Sequence, residues 1–121
     1  MTFNEKGYTM MGVSVEEFVS SMNERNVFAA GVNCLLLPED MKDVAVKIKS
    51  LLNKEILTFC QPNRGAPKMV DGKISYEMAE NDFAEGVVDI LRSGVDFVGG
   101  CCGSNEECIR LIHEISEKEN L

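Results

Sequence analysis

Apolar positions in this chain follow two rhythms that take turns, one at helical spacing and one in short continuous runs. Ser14 and Glu17 stand at the spacing of a capping box ahead of Phe18, Val19 and Met22, which predicts an amphipathic helix. VFAAGVNC, residues 27–34, then reads as a buried strand ending at Cys34. Pro38, suited to a first helical position, opens a segment in which Met41, Val44, Ala45, Ile48, Leu51 and Leu52 share one helical face. EILTFCQPN, residues 55–63, predicts the next strand. Asn81 is expected to cap the helix DFAEGVVDILRS, with Phe83, Val87 and Ile90 as its stripe and Gly94 as a left-handed stop before the strand VDFVGG. Ser104 is expected to cap a last helix carrying Cys108, Leu111, Ile112 and Ile115.

Adding MTF at the start as a further strand gives four strands and four helices in strict alternation. That pattern calls for an α/β fold with a parallel sheet and right-handed crossovers. The segment RGAPKMVDGKISYEM, residues 64–78, is expected to be a long irregular connection; it follows a strand, which places it on the working face of such a fold. No low-complexity tract or linker divides the chain, so residues 1–121 read as one unit. A closed (β/α)8 barrel takes about 250 residues, roughly twice what is present.

Composition narrows the function. Twelve basic against twenty acidic residues give a net charge of -8, and the cations are scattered, so no nucleic acid is expected as a partner. No apolar run approaches the roughly 18 residues of a membrane span, and MTFNEKGYTM lacks the layout of a signal peptide; no membrane partner and a cytoplasmic location are expected. Five cysteines, an odd number, argue against a disulfide framework and leave metal binding, catalysis or core packing.

Cys34, Asn63, Cys101 and Cys102 all fall at the carboxyl ends of predicted neighbouring strands. With strands about 4.8 Å apart, the Cys34 and Cys101 backbones start roughly 10 Å from each other, a gap that barrel curvature and inward side chains close to the reach of two Zn–S bonds of about 2.3 Å. Vicinal cysteines on a strand would point to opposite faces, so Gly99, Gly100 and Gly103 are expected to let the chain turn and bring both sulfurs to one ion. Three cysteine ligands leave a fourth position open, as in catalytic zinc sites. The vicinal pair reads equally as a redox switch or an accident of composition. Cys60 and Cys108 read as core packing, His113 as a solvated helix residue, and Glu16, Glu17, Glu106 and Glu107 as first-turn complements of helix dipoles.

GVNC at 31–34, QPNRG at 61–65, VDGKISY at 70–76 and GGCCGS at 99–104 resemble, in order, the motifs of the homocysteine S-methyltransferase family. MTFNEKGYTMMG at 1–12 resembles the stretch around the fifth barrel strand in the homocysteine domain of cobalamin-dependent methionine synthase. The resemblance covers nearly the whole chain and implies the C-terminal half of a (β/α)8 barrel, strands five to eight. It also implies zinc held by Cys34, Cys101 and Cys102, with Asn63 as a displaceable fourth ligand, and homocysteine and a methyl donor as substrates.

Two departures from the family pattern stand out. Leu35, Leu36 and Leu37 place bulk beside the metal, and Arg64, where a small residue is common, is expected to add a cation at the rim. The family's glycine-rich homocysteine-binding loop belongs to the other half of the barrel. Met1 coincides with a family-like internal methionine, which suggests a fragment. The partner expected is therefore an N-terminal half-barrel or a second copy of this chain. A non-catalytic, zinc-binding or structural half-barrel is the alternative to an enzyme half. The methyl donor, whether methylcobalamin, betaine or S-methylmethionine, is not encoded in these motifs.

Overall fold

Ser14 closes the expected capping box: its hydroxyl accepts from the Glu17 amide while the Glu17 carboxylate accepts from the Ser14 amide. The helix that follows is α1, Val15–Arg25, and the strand after it is β1, Ala29–Asn33. Pro38 is the first residue of α2, Pro38–Leu51, which leads into β2, Leu57–Gln61. Helix α3, Glu80–Arg92, precedes the short strand β5, Phe97–Val98, and α4, Glu106–Lys118, closes the chain. These elements come from a computed structural model that describes residues 1–121.

β1, β2 and β5 form a three-stranded parallel sheet in that order, with Val32 opposite Cys60 and Cys60 opposite Val98. The expected first strand at MTF is reduced to a single rung. The Met1 amine donates to Gly31 O at 3.0 Å and the Asn33 amide to Met1 O at 3.1 Å, along the edge of β1 away from β2, but no strand develops. Asn4 turns the chain away at once, its side-chain oxygen accepting from the amides of Lys6 and Tyr8.

The long connection is not irregular, as the sequence suggested. Two strands, β3 (Pro67–Val70) and β4 (Lys73–Tyr76), pair antiparallel as a hairpin. Asp71 and Gly72, at φ 49° and 76°, make the two-residue turn with two positive φ angles that suits strand twist. Two caps also shift. α3 begins at Glu80 after Ala79, so Asn81 lies within its first turn, and α4 is capped by Asn105, whose side-chain oxygen accepts from the Cys108 amide. Ser104 is used elsewhere.

The helices cover one face of the sheet. Ala30, Val32, Thr58 and Cys60 point into that layer and are buried, against Phe18, Met41, Ala45, Ile48 and Ile90 from α1, α2 and α3. Phe3 and Phe18 meet edge to face at 5.6 Å. A second cluster joins α3 to α4 through Phe83, Val87, Cys108 and Ile112. Alternation along the strands assigns Leu57, Phe59, Gln61 and Phe97 to the opposite face, where Phe97 is 47% exposed and Gln61 is exposed. That face carries apolar side chains without a layer of its own.

At the end of the sheet remote from the cysteines, Asp96 accepts from the Lys49 ammonium at 2.6 Å and the Thr58 amide at 2.7 Å. Burial would raise this carboxyl, but Lys49 and Thr58 outweigh it and hold it below its ordinary value of 3.8. A depressed carboxyl stabilises the fold above its unfolded pKa and loses that contribution as pH falls through the folded one. Asp96→Asn is therefore expected to cost about 1 kcal/mol at pH 7, and the gap to the unaltered chain should begin to narrow below about pH 4. Urea melts at pH 7 and pH 3 check this; an equal loss at both would count against it.

Candidate metal-ligating site

Where β1 ends, the backbone enters the left-handed region at two successive residues, Cys34 at φ 66° and Leu35 at φ 72°. The Leu36 amide returns to Cys34 O at 2.9 Å, closing a three-residue turn about Leu35. Such a turn is strained for residues with a Cβ, at about 1–2 kcal/mol each. Its effect is to swing the Cys34 side chain across the strand ends. The Cys34 amide is fixed to Gln61 O at 3.0 Å, so the turn is anchored to β2.

The Cys101–Cys102 turn is built against the segment after β2. Cys101 donates its amide to Pro62 O at 2.8 Å, Cys102 donates to Asn63 Oδ1 at 3.1 Å, and Arg64 donates to Cys102 O at 2.9 Å. Ser104 closes the turn: its amide and hydroxyl both donate to Cys101 O, the latter at 2.6 Å. The glycines work differently from the expected hinge. Gly100 has no positive φ; a Cβ there would meet the Ser104 hydroxyl at 2.3 Å, so its role is to let Ser104 approach. Gly103, at φ 85°, supplies the left-handed residue of this turn.

The ligating atoms of Cys34, Cys101 and Cys102 lie within 4.8 Å of one another, and the Cys34 and Cys102 sulfurs are 3.7 Å apart. Two sulfurs on a tetrahedral ion at about 2.3 Å would lie about 3.8 Å from each other, so the pair has the separation a zinc ion requires. All three are free thiols, with Cys34 and Cys101 half-buried and Cys102 exposed. Burial opposes ionisation of Cys34, yet hydrogen bonds from Cys102, Cys101, the Leu35 backbone and Asn63 bring its thiol below the ordinary value. Cys102, hydrogen-bonded to Cys34 and beside Cys101, is pushed up.

A cavity of about 260 Å³ opens beside Cys34 and Asn63, walled by Thr2, Asn4, Tyr8, Met10 and Leu35. Of the three leucines, Leu35 lines this cavity and is 57% exposed, whereas Leu36 is buried in the core. Arg64 is not a rim cation: its side chain turns inward, is 8% exposed and pairs with Glu80 at 3.0 Å. Cys60 and Cys108 are fully buried, and burial pushes the Cys60 thiol up to about 12. His113 is exposed on α4, and Glu16, Glu17, Glu106 and Glu107 occupy first helical turns, as expected. Tyr8 and Met10 were not singled out from the sequence, and Ser104 was expected as a helix cap rather than as a partner of Cys101. Only Ser104, following a glycine-flanked cysteine pair, carried a usable signal.

Fold and site together define an α/β protein with a three-thiol cluster of metal-ligating geometry at the carboxyl ends of parallel strands. The homocysteine S-methyltransferase family profile matches residues 1–116, and the chain belongs to that family. Homocysteine S-methyltransferase 2 of Arabidopsis thaliana is 31% identical over 119 residues, covering 93% of this chain and 35% of the relative. The chain thus spans about a third of that relative's length. No helix is long and apolar enough to cross a membrane.

Proposed function

We propose that these residues form the zinc-bearing half of a (β/α)8 homocysteine S-methyltransferase barrel, strands five to eight, in which Cys34, Cys101 and Cys102 hold the ion and the homocysteine sulfur is methylated to give methionine. The observation that carries this reading is the convergence of three thiols within 4.8 Å, one pair at the tetrahedral spacing, in a chain of this family. Sequential neighbours β1, β2 and β5 in one parallel sheet, with helices on a single face, fit three of the four units of such a half-barrel, and the Met1 rung on the edge of β1 lies where the fourth strand would pair.

Zinc bound there supplies the acidity that keeps an incoming thiol deprotonated, and hence nucleophilic, at neutral pH. The chain's own residues hold and shape the site. Asn63 Oδ1 accepts from the Cys102 amide with one lone pair, and its second lone pair would be available to a bound ion as a fourth ligand that a substrate thiol could displace. The cavity beside Cys34 offers Tyr8, Met10 and Leu35 as apolar walls for the reacting end of a small thiol. Groups holding the amino-acid end of homocysteine come from an N-terminal half-barrel. Free thiols on an accessible rim require a reducing compartment, which suits the cytosol.

The exposed Phe97 on the uncovered sheet face favours a second reading, a non-catalytic half-barrel that binds metal and pairs with another copy. Alkylation separates metal ligation from plain packing. Without metal, iodoacetamide should label Cys34, Cys101 and Cys102 and leave Cys60 and Cys108 unlabelled in the folded chain. Equimolar zinc should protect the three together. Unchanged labelling with zinc would remove the ligand assignment.

A further inference from the structure

Arg64 has no part in ligation, yet its contacts all converge behind the thiol cluster. Nη1 donates to Glu80 Oε1 at 3.0 Å and lies 3.7 Å from Cys108 Sγ, and the guanidinium sits 5.2 Å from the centre of the Tyr76 ring. Nε is buried with no hydrogen-bond partner. A buried donor left unpaired is unfavourable, so the position of this side chain is set by its planar face and its ion pair rather than by full hydrogen bonding.

The Tyr76 ring leads from Arg64 to the cysteines. A Cβ on Gly103 would lie 2.7 Å from ring carbons Cδ1 and Cε1 and 3.2 Å from Arg64 Cβ, so the ring is seated directly on the residue after Cys102. Gly103 is also the left-handed hinge of that turn. Cys102 is the most exposed of the three thiols, so its sulfur has the fewest neighbours of its own to fix it. Its place depends on the backbone: the bonds to Asn63 and Arg64 on one side, and the ring closing over Gly103 on the other. Glu80 ties the same arginine to the start of α4 through Asn105, which donates to Glu80 Oε1 at 3.3 Å.

We propose that Arg64 is a positioning residue for the thiol site, acting through Tyr76 and Gly103 so that the β3–β4 hairpin clamps the Cys101–Cys102 turn at ligating distance from Cys34. The clamp rests on the metal reading above and adds to it: the hairpin becomes part of what sets metal affinity, through the ring of Tyr76 rather than its hydroxyl.

Cobalt(II) titration of the 121-residue chain, with a chromophoric chelator as competitor, tests this. Arg64→Ala and Tyr76→Ala should each weaken Co²⁺ binding by about tenfold or more, the scale for residues supporting metal ligands. Both should also lower the visible bands that report tetrahedral coordination. Tyr76→Phe, which keeps the ring, should match the unaltered chain. Arg64→Lys should recover only part of the loss, because an ammonium can pair with Glu80 but offers no flat face to Tyr76. Circular dichroism establishes that each variant is folded at the titration temperature, and if one alanine variant fails to fold the other decides. Unaltered affinity and spectrum in a folded alanine variant would overturn the clamp. Failure of the unaltered chain to take up Co²⁺ would instead remove the metal reading, and the clamp with it.

Discussion

Serine at Cys34, Cys101 and Cys102 together is expected to abolish stoichiometric zinc binding, while Cys60→Ala and Cys108→Ala leave it intact. Thiolate-rich zinc sites bind with about 10–16 kcal/mol, so with three ligands each thiolate is worth roughly 3–5 kcal/mol and each single serine should weaken binding by a factor of hundreds or more. The fold should survive, because Cys102 is exposed and Cys34 and Cys101 are half-buried. The controls behave oppositely: Cys60 and Cys108 are fully buried, so their replacement costs stability of about 1 kcal/mol and no metal. Chelator-competition titrations alongside thermal melts separate the two effects. Equal loss of zinc in the control and ligand variants would refute the assignment.

The second large effect concerns methyl transfer. The 121-residue chain by itself is expected to show no turnover of homocysteine with methylcobalamin, betaine or S-methylmethionine, and to gain it when an N-terminal family half is joined to it. Holding two reactants in line is worth effective molarities of about 10⁵–10⁸ M, and one half of the site cannot hold both. The same open architecture governs assembly. Leu57 and Phe59, half-buried, and Phe97, 47% exposed, line a sheet face with no covering layer, and β5 has no strand on its outer side. Parallel sheets are covered on both faces in known folds, so the chain alone should sediment as a dimer or larger at micromolar concentration. The joined protein should sediment as a single barrel. Turnover by a verified monomer of the chain alone would show that the site is complete without a partner.

Much of this architecture was legible because the signals were local. The Ser14–Glu17 box, Pro38 at the head of α2 and Gly94 after α3 each act within one turn of chain, and each does what its spacing predicts. The hairpin was also written locally, as Asp71-Gly72 between PKMV and KISY, but its strands are exposed, so no buried run drew attention to them. The caps failed where other bonds compete: Ser104 closes the local turn onto Cys101, three residues back, instead of capping its helix, and Glu80, inside α3, pairs with Arg64.

The three cysteines could be gathered from strand order alone, but the way they gather could not. Left-handed backbone at Cys34 and Leu35 is unfavourable for both residue types, and only the surrounding bonds to Gln61 and Asn63 impose it. Glycines near a vicinal pair suggested a hinge at Gly100, yet that residue is needed for the close approach of Ser104. Arg64 read as surface charge because nothing in sequence shows that Tyr76, twelve residues on, lies under its guanidinium.

Zinc content and zinc K-edge absorption of the purified chain test the central claim most directly. The predicted result is about one zinc per chain with three sulfur neighbours near 2.3 Å and one lighter neighbour, nitrogen or oxygen, in the fourth position. A folded chain that takes up no zinc from excess, or whose zinc lacks sulfur neighbours, would contradict it.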